Sequence, residues 1–245
     1  MGLPADGVLA AAREAGIYRV VNAGCDLPSS RWGVACAAEY PDAYAAVAIH
    51  PNSTADVDDR REEVLAELAE LAASPKVVAI GETGLDYYRD YAAPQVQRWW
   101  FRAHIELARR TGKALMIHDR DAHDDVLDIL EEAGPWPADS VIFHCFSGDA
   151  AMAERCAAAG YIMSFAGNVT FKNAVALQEA AVVAPAGLIM AETDAPYLTP
   201  VPHRGKPNSP AMTAHTVRYL AELRGLDLAE FCVQLQDTGN RLFRW

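Results

Sequence analysis

The sequence lacks any apolar run approaching the about 18 residues that a membrane span needs; its longest candidate, residues 180–191, is broken by Pro185. No bilayer-crossing segment is expected. The opening residues, MGLPADGVLAAAREAG, carry no positive charge ahead of their short apolar stretch, so no secretory signal is expected and the chain reads as cytoplasmic. Cysteine is scarce: Cys25, Cys36, Cys145, Cys156 and Cys232 are odd in number and never spaced C-x-x-C, which argues against a disulfide framework or a zinc knuckle. Positive charge is in deficit, with 21 Lys and Arg against 33 Asp and Glu and a net charge of -12. Such a chain repels a polyanion at long range, so a nucleic acid has to be held by a local basic patch or a metal site. Long Gly, Ser or Pro linkers are missing too, which leaves one domain over residues 1–245 as the economical organisation.

What is present is a repeated grammar. Seven short apolar runs, Tyr18–Asn22, Tyr44–His50, Val77–Glu82, Ala114–His118, Ser140–His144, Tyr161–Phe165 and Leu188–Asp194, alternate with stretches of helical period such as Arg61–Ala73, Pro94–Thr111, Asp121–Ala133 and Ala150–Ala159. Gly16, Gly112, Gly134, Gly160 and Gly187 follow helical text, where glycine supplies a left-handed stop. Strands alternating with helices imply a parallel sheet covered by helices, and near-continuous apolar strands imply burial on both faces. At this length the expected fold is a TIM-type (β/α) barrel. The count of strands is one short of eight, since residues 8–15 ahead of the first run read as helix, so the first strand is expected to be missing.

In a parallel barrel the C-terminal strand ends share one rim, where active sites are built. Those ends carry Glu82, His118, His144 and Asp194, two imidazoles and two carboxylates, the donor types that hold Zn²⁺, Mn²⁺ or Mg²⁺ in hydrolytic sites. One histidine at a strand end is ordinarily structural; four strand ends with ligand chemistry point to metal. Glycines flank Glu82 at 81 and 84 and allow a sharp turn. Asp86 is either a supporting carboxylate or a helix cap. Glu192 and Asp194, two residues apart, are expected on the same side of the last strand, Asp194 nearer the rim as ligand or general base and Glu192 as a support. His50, before Pro51, is open between ligation and an outer or substrate-facing role. The turn His203-Arg204-Gly205-Lys206 suits an anion or is a solvated loop, and Arg120 reaches an anion or pairs with Asp119 or Asp121. His104 and His123 lie in helical text and are expected to be exposed. His144 and Cys145, adjacent in a strand, point to opposite faces, so no cysteine dyad is expected, and no strand-end lysine offers a Schiff base.

These residues resemble the TatD family of metal-dependent deoxyribonucleases, among the amidohydrolase-like barrels. The matching text is AIHPN at 48–52, IGETGLDYY at 80–88, IHDRDA at 117–122, FHCFSG at 143–148, SFAGNVTFKNA at 164–174, ETDAPYL at 192–198, PVPHRGKPN at 200–208 and NRLF at 240–243. The resemblance implies Glu82, His118, His144 and Asp194 as ligands of one or two divalent ions, with Glu82 bridging, and a substrate phosphate at Arg204 and Lys206. It implies hydrolysis of DNA phosphodiesters, commonly as an exonuclease. Family members open on a strand bearing H-x-H, a motif this sequence does not contain; the segment coincides with the strand missing from the count. Two rivals follow: a small-molecule amidohydrolase or esterase on the same metal centre, and a shortened metal-binding protein without turnover.

Overall fold

The computed structural model describes residues 4–245. The elements follow in the order α1 (Ala5–Glu14), β1 (Val20–Ala23), α2 (Leu27–Glu39), β2 (Ala43–Val47), α3 (Arg61–Ala72), β3 (Val77–Asp86), α4 (Pro94–Thr111), β4 (Ala114–Arg120), α5 (His123–Glu132), β5 (Val141–Phe143), α6 (Ala150–Ala158), β6 (Ile162–Phe165), α7 (Val175–Val183), β7 (Ile189–Ala191), α8 (Thr213–Leu223) and α9 (Leu228–Phe243). Short 3₁₀ segments at Pro51–Arg60, Gly167–Thr170, Ala186–Leu188 and Pro210–Met212 complete it. The seven strands form one sheet in sequential order, and the pairs β2–β3, β3–β4 and β6–β7 are parallel. Sequential parallel order with intervening helices is the winding of a TIM-type (β/α) barrel, carried here on seven strands among the described residues. Each of the seven apolar runs overlaps one of them.

The chain divides into two compact units, one of residues up to Val20 together with Phe143–Arg244, the other of Val21–Ile142 with Trp245. In the second unit, β3 and β4 are buried almost throughout, as strands packed on both faces must be. Glu82 is the one residue of β3 that is not fully buried, and in β4 only His118 and Arg120 escape. Leu68, Trp100, Phe101, Ile80, Leu85 and Leu115 fill the core around them. Helix α4 shows why: Gln97, Trp100, Phe101, His104 and Ala108 recur on one face at helical spacing. It ends at Gly112, whose φ of 66° supplies the left-handed cap.

In the first unit Phe143, Phe146 and Phe165 stack in sequence, with ring centroids 6.4 and 5.6 Å apart, and Phe231 of α9 is fully buried. Gly16, Gly134 and Gly160 take the positive φ expected of helix stops, whereas Gly187 does not and sits inside a 3₁₀ turn. Strands β5 and β7 are three residues each, shorter than the apolar text. Phe143 and Ala191 are their last residues, so His144, Cys145, Glu192 and Asp194 all lie beyond strand ends. The expectation that alternation along a strand orients these side chains is corrected: Cys145 (φ 43°) and Asp194 (φ 53°) have turned into left-handed backbone.

Candidate metal centre

The register between β3 and β4 slips between Ile80 and Thr83: Ile80 faces Leu115, while Thr83 already faces Ile117. One extra residue in β3 is a bulge, a device that re-aims a side chain, and Glu82 lies inside it. The flanking glycines make the close approach feasible. A Cβ at Gly81 would overlap Met116, and one at Gly84 would overlap the His118 carbonyl oxygen. The G-E-T-G text is thus a requirement of strand contact as much as of turning.

Around Glu82 the second unit gathers His50 and His118, each with a candidate ligand atom within 4.8 Å of the others. His50 Nε2 lies 3.9 Å from Glu82 Oε2, and the two imidazole rings meet edge to face at 4.4 Å. A carboxylate with two imidazoles beside it, all half-buried, is the kind of residue set found around a divalent ion of the Mg²⁺, Mn²⁺ or Zn²⁺ kind. The hydrogen bonds assign different parts to the histidines. His118 Nε2 sits 3.2 Å from Asp86 Oδ2, so Nε2 carries the proton and Nδ1 is the lone-pair nitrogen, the carboxylate-histidine arrangement that orients metal ligands. His50 Nδ1 accepts the Asn52 N–H at 3.1 Å, which puts the proton of the neutral ring on Nε2, facing Glu82.

Asp86, 2% exposed, organises this region. Oδ2 takes His118 and the Asn52 amide (3.0 Å); Oδ1 takes the N–H groups of Tyr88 (3.1 Å) and Arg89 (3.0 Å). Burial pushes its carboxyl upward, but the hydrogen bonds from His118, the Arg89 N–H and Asn52 outweigh it and hold it well below the usual carboxylate range. Gln97 clamps the backbone of the same residue, accepting the Asp86 N–H and donating to its carbonyl. Of the two readings open for Asp86, it occupies the supporting one and caps a loop as well.

His104, expected to be exposed, is completely buried. Its Nδ1 donates to the Trp100 carbonyl and its Nε2 accepts the Ile49 N–H, and burial drives its pKa down to about 4, so the ring is neutral. His123 is half-buried rather than exposed; Asp119, 2.7 Å from its Nδ1, raises its pKa. Arg120 lies with its guanidinium carbon 3.7 Å over the Tyr88 ring.

The first unit holds the other sequence candidates. His144 Nδ1 faces Glu192 Oε1 at 3.2 Å, and Cys145 Sγ lies 3.9 Å from Asp194 Oδ2. Asn208, buried, donates to the carbonyls of Thr193 and Tyr197 and so ties the loop after β7 to the segment beyond the basic turn. Arg204 stacks on Phe171 at 4.2 Å, and Thr199 Oγ1 holds the Lys206 carbonyl at 2.7 Å. Asn52 and Asn208 are marked in the sequence only by the texts HPN and KPN, and no local pattern marks Gln97.

The family model "TatD related DNase" matches residues 4–244. The chain is 50% identical over 218 residues, 86% of its own length and 80% of the relative's, to an "uncharacterized metal-dependent hydrolase TatD" of Mycobacterium tuberculosis. It is 32% identical over 246 residues, 97% of this chain and 93% of the other, to the "3'-5' ssDNA/RNA exonuclease TatD" of Erwinia tasmaniensis. Among solved structures, the TatD homologue YJJV of Escherichia coli K12 aligns with a TM-score of 0.89 at 27% identity, covering 98% of this chain and 92% of that one. On both sequence and fold, the chain belongs to the TatD-related DNase family.

Proposed function

We propose that this protein is a divalent-metal-dependent hydrolase that cleaves phosphodiester bonds in DNA, acting as an exonuclease. The observation that carries the reading is the His50, Glu82 and His118 group with Asp86 behind it, in a chain of the TatD-related DNase family. Membership is supported along nearly the whole length, and one relative is named for exonuclease action on single-stranded DNA and RNA. We assign ligand roles to Glu82, His118, His144 and Asp194, a catalytic part to Glu82 and Asp194, and contacts with substrate to Arg120, Arg204 and Lys206.

A bound divalent ion supplies Lewis acidity, drawing charge from the phosphodiester and easing deprotonation of the attacking water. The chain's own residues do the rest. Asp86 holds the Nε2 proton of His118, which fixes the tautomer and ring orientation of that ligand. Asn52 N–H holds the proton of His50 on Nε2, so this ring serves as a hydrogen-bond donor beside Glu82, suited to steady the carboxylate or a phosphate oxygen. Glu82 accepts, and the bulge in β3 sets its direction. We also propose a cytoplasmic setting, in keeping with cysteines that are odd in number and never spaced C-x-x-C.

The test is cleavage of an end-labelled DNA strand with Mg²⁺ or Mn²⁺, against EDTA and against Glu82→Ala. A metal-dependent ladder that disappears in the variant is the expected result. Hydrolysis of lactones or amides with the strand left intact would replace the reading with a small-molecule hydrolase, and metal uptake without any hydrolysis would replace it with a binding protein.

A further inference from the structure

The loop that follows β3 carries an arrangement the metal centre does not use. Tyr88 and Tyr91 are 59% and 61% exposed, large aromatic surface that folding has left in water. Arg120, from the end of β4, lies 3.7 Å over the Tyr88 ring, and the guanidinium of Arg89 lies 5.5 Å from Tyr88 and 5.8 Å from Tyr91. Two tyrosines and two arginines therefore form a continuous exposed strip in a chain whose net charge is -12. Planar guanidinium over an aromatic ring is a stack that a nucleobase can extend, since every base has a π face and each arginine also attracts phosphate.

The strip is rigidly tied to the metal centre. Asp86 Oδ1 takes the N–H groups of Tyr88 and Arg89, while Oδ2 of the same carboxylate takes His118. Tyr87, next in the chain, is pinned on both sides: its N–H donates to the Arg120 carbonyl at 2.8 Å, and its hydroxyl donates to Asp125 and accepts from Arg98. The backbone that carries Tyr88 and Arg89 is thus fixed, and Arg120 lies against the Tyr88 ring, so a base laid on that ring meets a partly pre-organised surface.

We propose that Tyr88, Arg120, Arg89 and Tyr91 form a stacking subsite for an unpaired nucleotide next to the phosphodiester being cut. The inference rests on the nuclease reading above. Bases inside a duplex have both faces occupied by neighbours and cannot stack on Tyr88, so the subsite favours nucleotides of single strands or frayed ends.

The experiment compares Tyr88→Ala, Tyr88→Phe and Arg120→Ala with the parent protein on a single-stranded oligonucleotide and on the same oligonucleotide with abasic nucleotides at its end. Tyr18→Ala, which removes another exposed tyrosine, is the control. Loss of one stack is expected to raise KM for the natural strand about tenfold in Tyr88→Ala, and the loss should fall on KM rather than kcat. Tyr88→Phe, which keeps the ring, and the control should hold KM near the parent value. On the abasic strand the parent should already show the raised KM. An unchanged KM in Tyr88→Ala, or an equal rise on natural and abasic strands, overturns the subsite. If the parent cleaves no DNA, the nuclease reading fails by itself, and binding of labelled oligothymidylate by anisotropy in EDTA decides the subsite: binding lost in Tyr88→Ala sustains it, equal binding overturns it.

Discussion

The buried imidazole of His104 accepts the backbone N–H of Ile49, the residue immediately before His50. Helix α4 thereby fixes the end of the segment that delivers His50 to Glu82. Because the other ring nitrogen donates to Trp100, a single neutral tautomer satisfies every polar contact, and a second proton would displace the Ile49 bond.

That neutral state makes stability depend on pH. The folded pKa of His104, about 4, lies below its ordinary value of 6.5. Unfolded chains thus bind more protons between these values, and the stabilisation is complete above pH 6.5 and lost as pH falls toward 4. The loss is at most about 3 kcal/mol. Urea unfolding of the parent and of His104→Gln at pH 7 and pH 4.5 checks this. The variant should be less stable at pH 7 by about 1–3 kcal/mol, from poorer pairing of Ile49 and Trp100, and should lose less on acidification. Equal acid losses in both proteins would remove His104 from the account.

Seven strands were readable because apolar, β-branched text has only a parallel sheet to fill when helices intervene. The ends of β5 and β7 were not, since the ionisable residues that close each run already lie beyond the strand, which stops at Phe143 and at Ala191 ahead of the turns at Cys145 and Asp194. The burial of His104 was legible in principle: Gln97, Trp100, Phe101, His104 and Ala108 share a helical face, and only the assumption that a histidine in a helix is solvated concealed it. Glu82 and His118 stood out as ionisable residues closing apolar runs; the expectation that they end their strands is corrected, since β3 continues to Asp86 and β4 to Arg120, and both are exceptions to the burial of those strands. Asn52, Gln97 and Asn208 had no such mark. Their contacts join segments distant in sequence, such as Asn52 with Asp86 and Asn208 with Thr193, and no local period encodes them.

Asp86 should behave as a positioning residue. Asp86→Asn keeps the shape and an acceptor but removes the charge that holds the His118 proton. Metal affinity is expected to fall roughly 10–100-fold, as it does when the carboxylate behind a metal-bound histidine is lost. Titration calorimetry with Mn²⁺ reads the effect directly. Unaltered Mn²⁺ affinity would show that Asp86 serves only the loop.

Two glycines with positive φ should respond differently to a methyl group. At Gly112 a Cβ meets nothing within 4 Å, so Gly112→Ala is expected to cost about 1 kcal/mol, the price of left-handed backbone. At Gly84 (φ 138°) a Cβ would overlap the His118 carbonyl oxygen, and β3 must part from β4. Gly84→Ala should cost about 3 kcal/mol or more. Thermal melts of the two variants separate the cases, and similar melting temperatures would show that β3 and β4 are not locked at this point.

Metal should stabilise the fold through the same residues that are proposed to hold it. An ion that binds only the folded chain adds about 2.7 kcal/mol at one hundred times its dissociation constant. For a chain of this length that corresponds to a rise in Tm of roughly 5–10 °C. Mn²⁺ added to EDTA-treated protein should give this rise, and Glu82→Ala should lose most of it, because Glu82 is the carboxylate at the centre of the His50 and His118 group. His50→Gln distinguishes the two histidines. If His50 is a hydrogen-bond donor held by Asn52, as its Nδ1 contact indicates, the variant keeps most of the metal-induced rise while its cleavage rate falls; if His50 is a ligand, the rise is lost as fully as in His118→Gln.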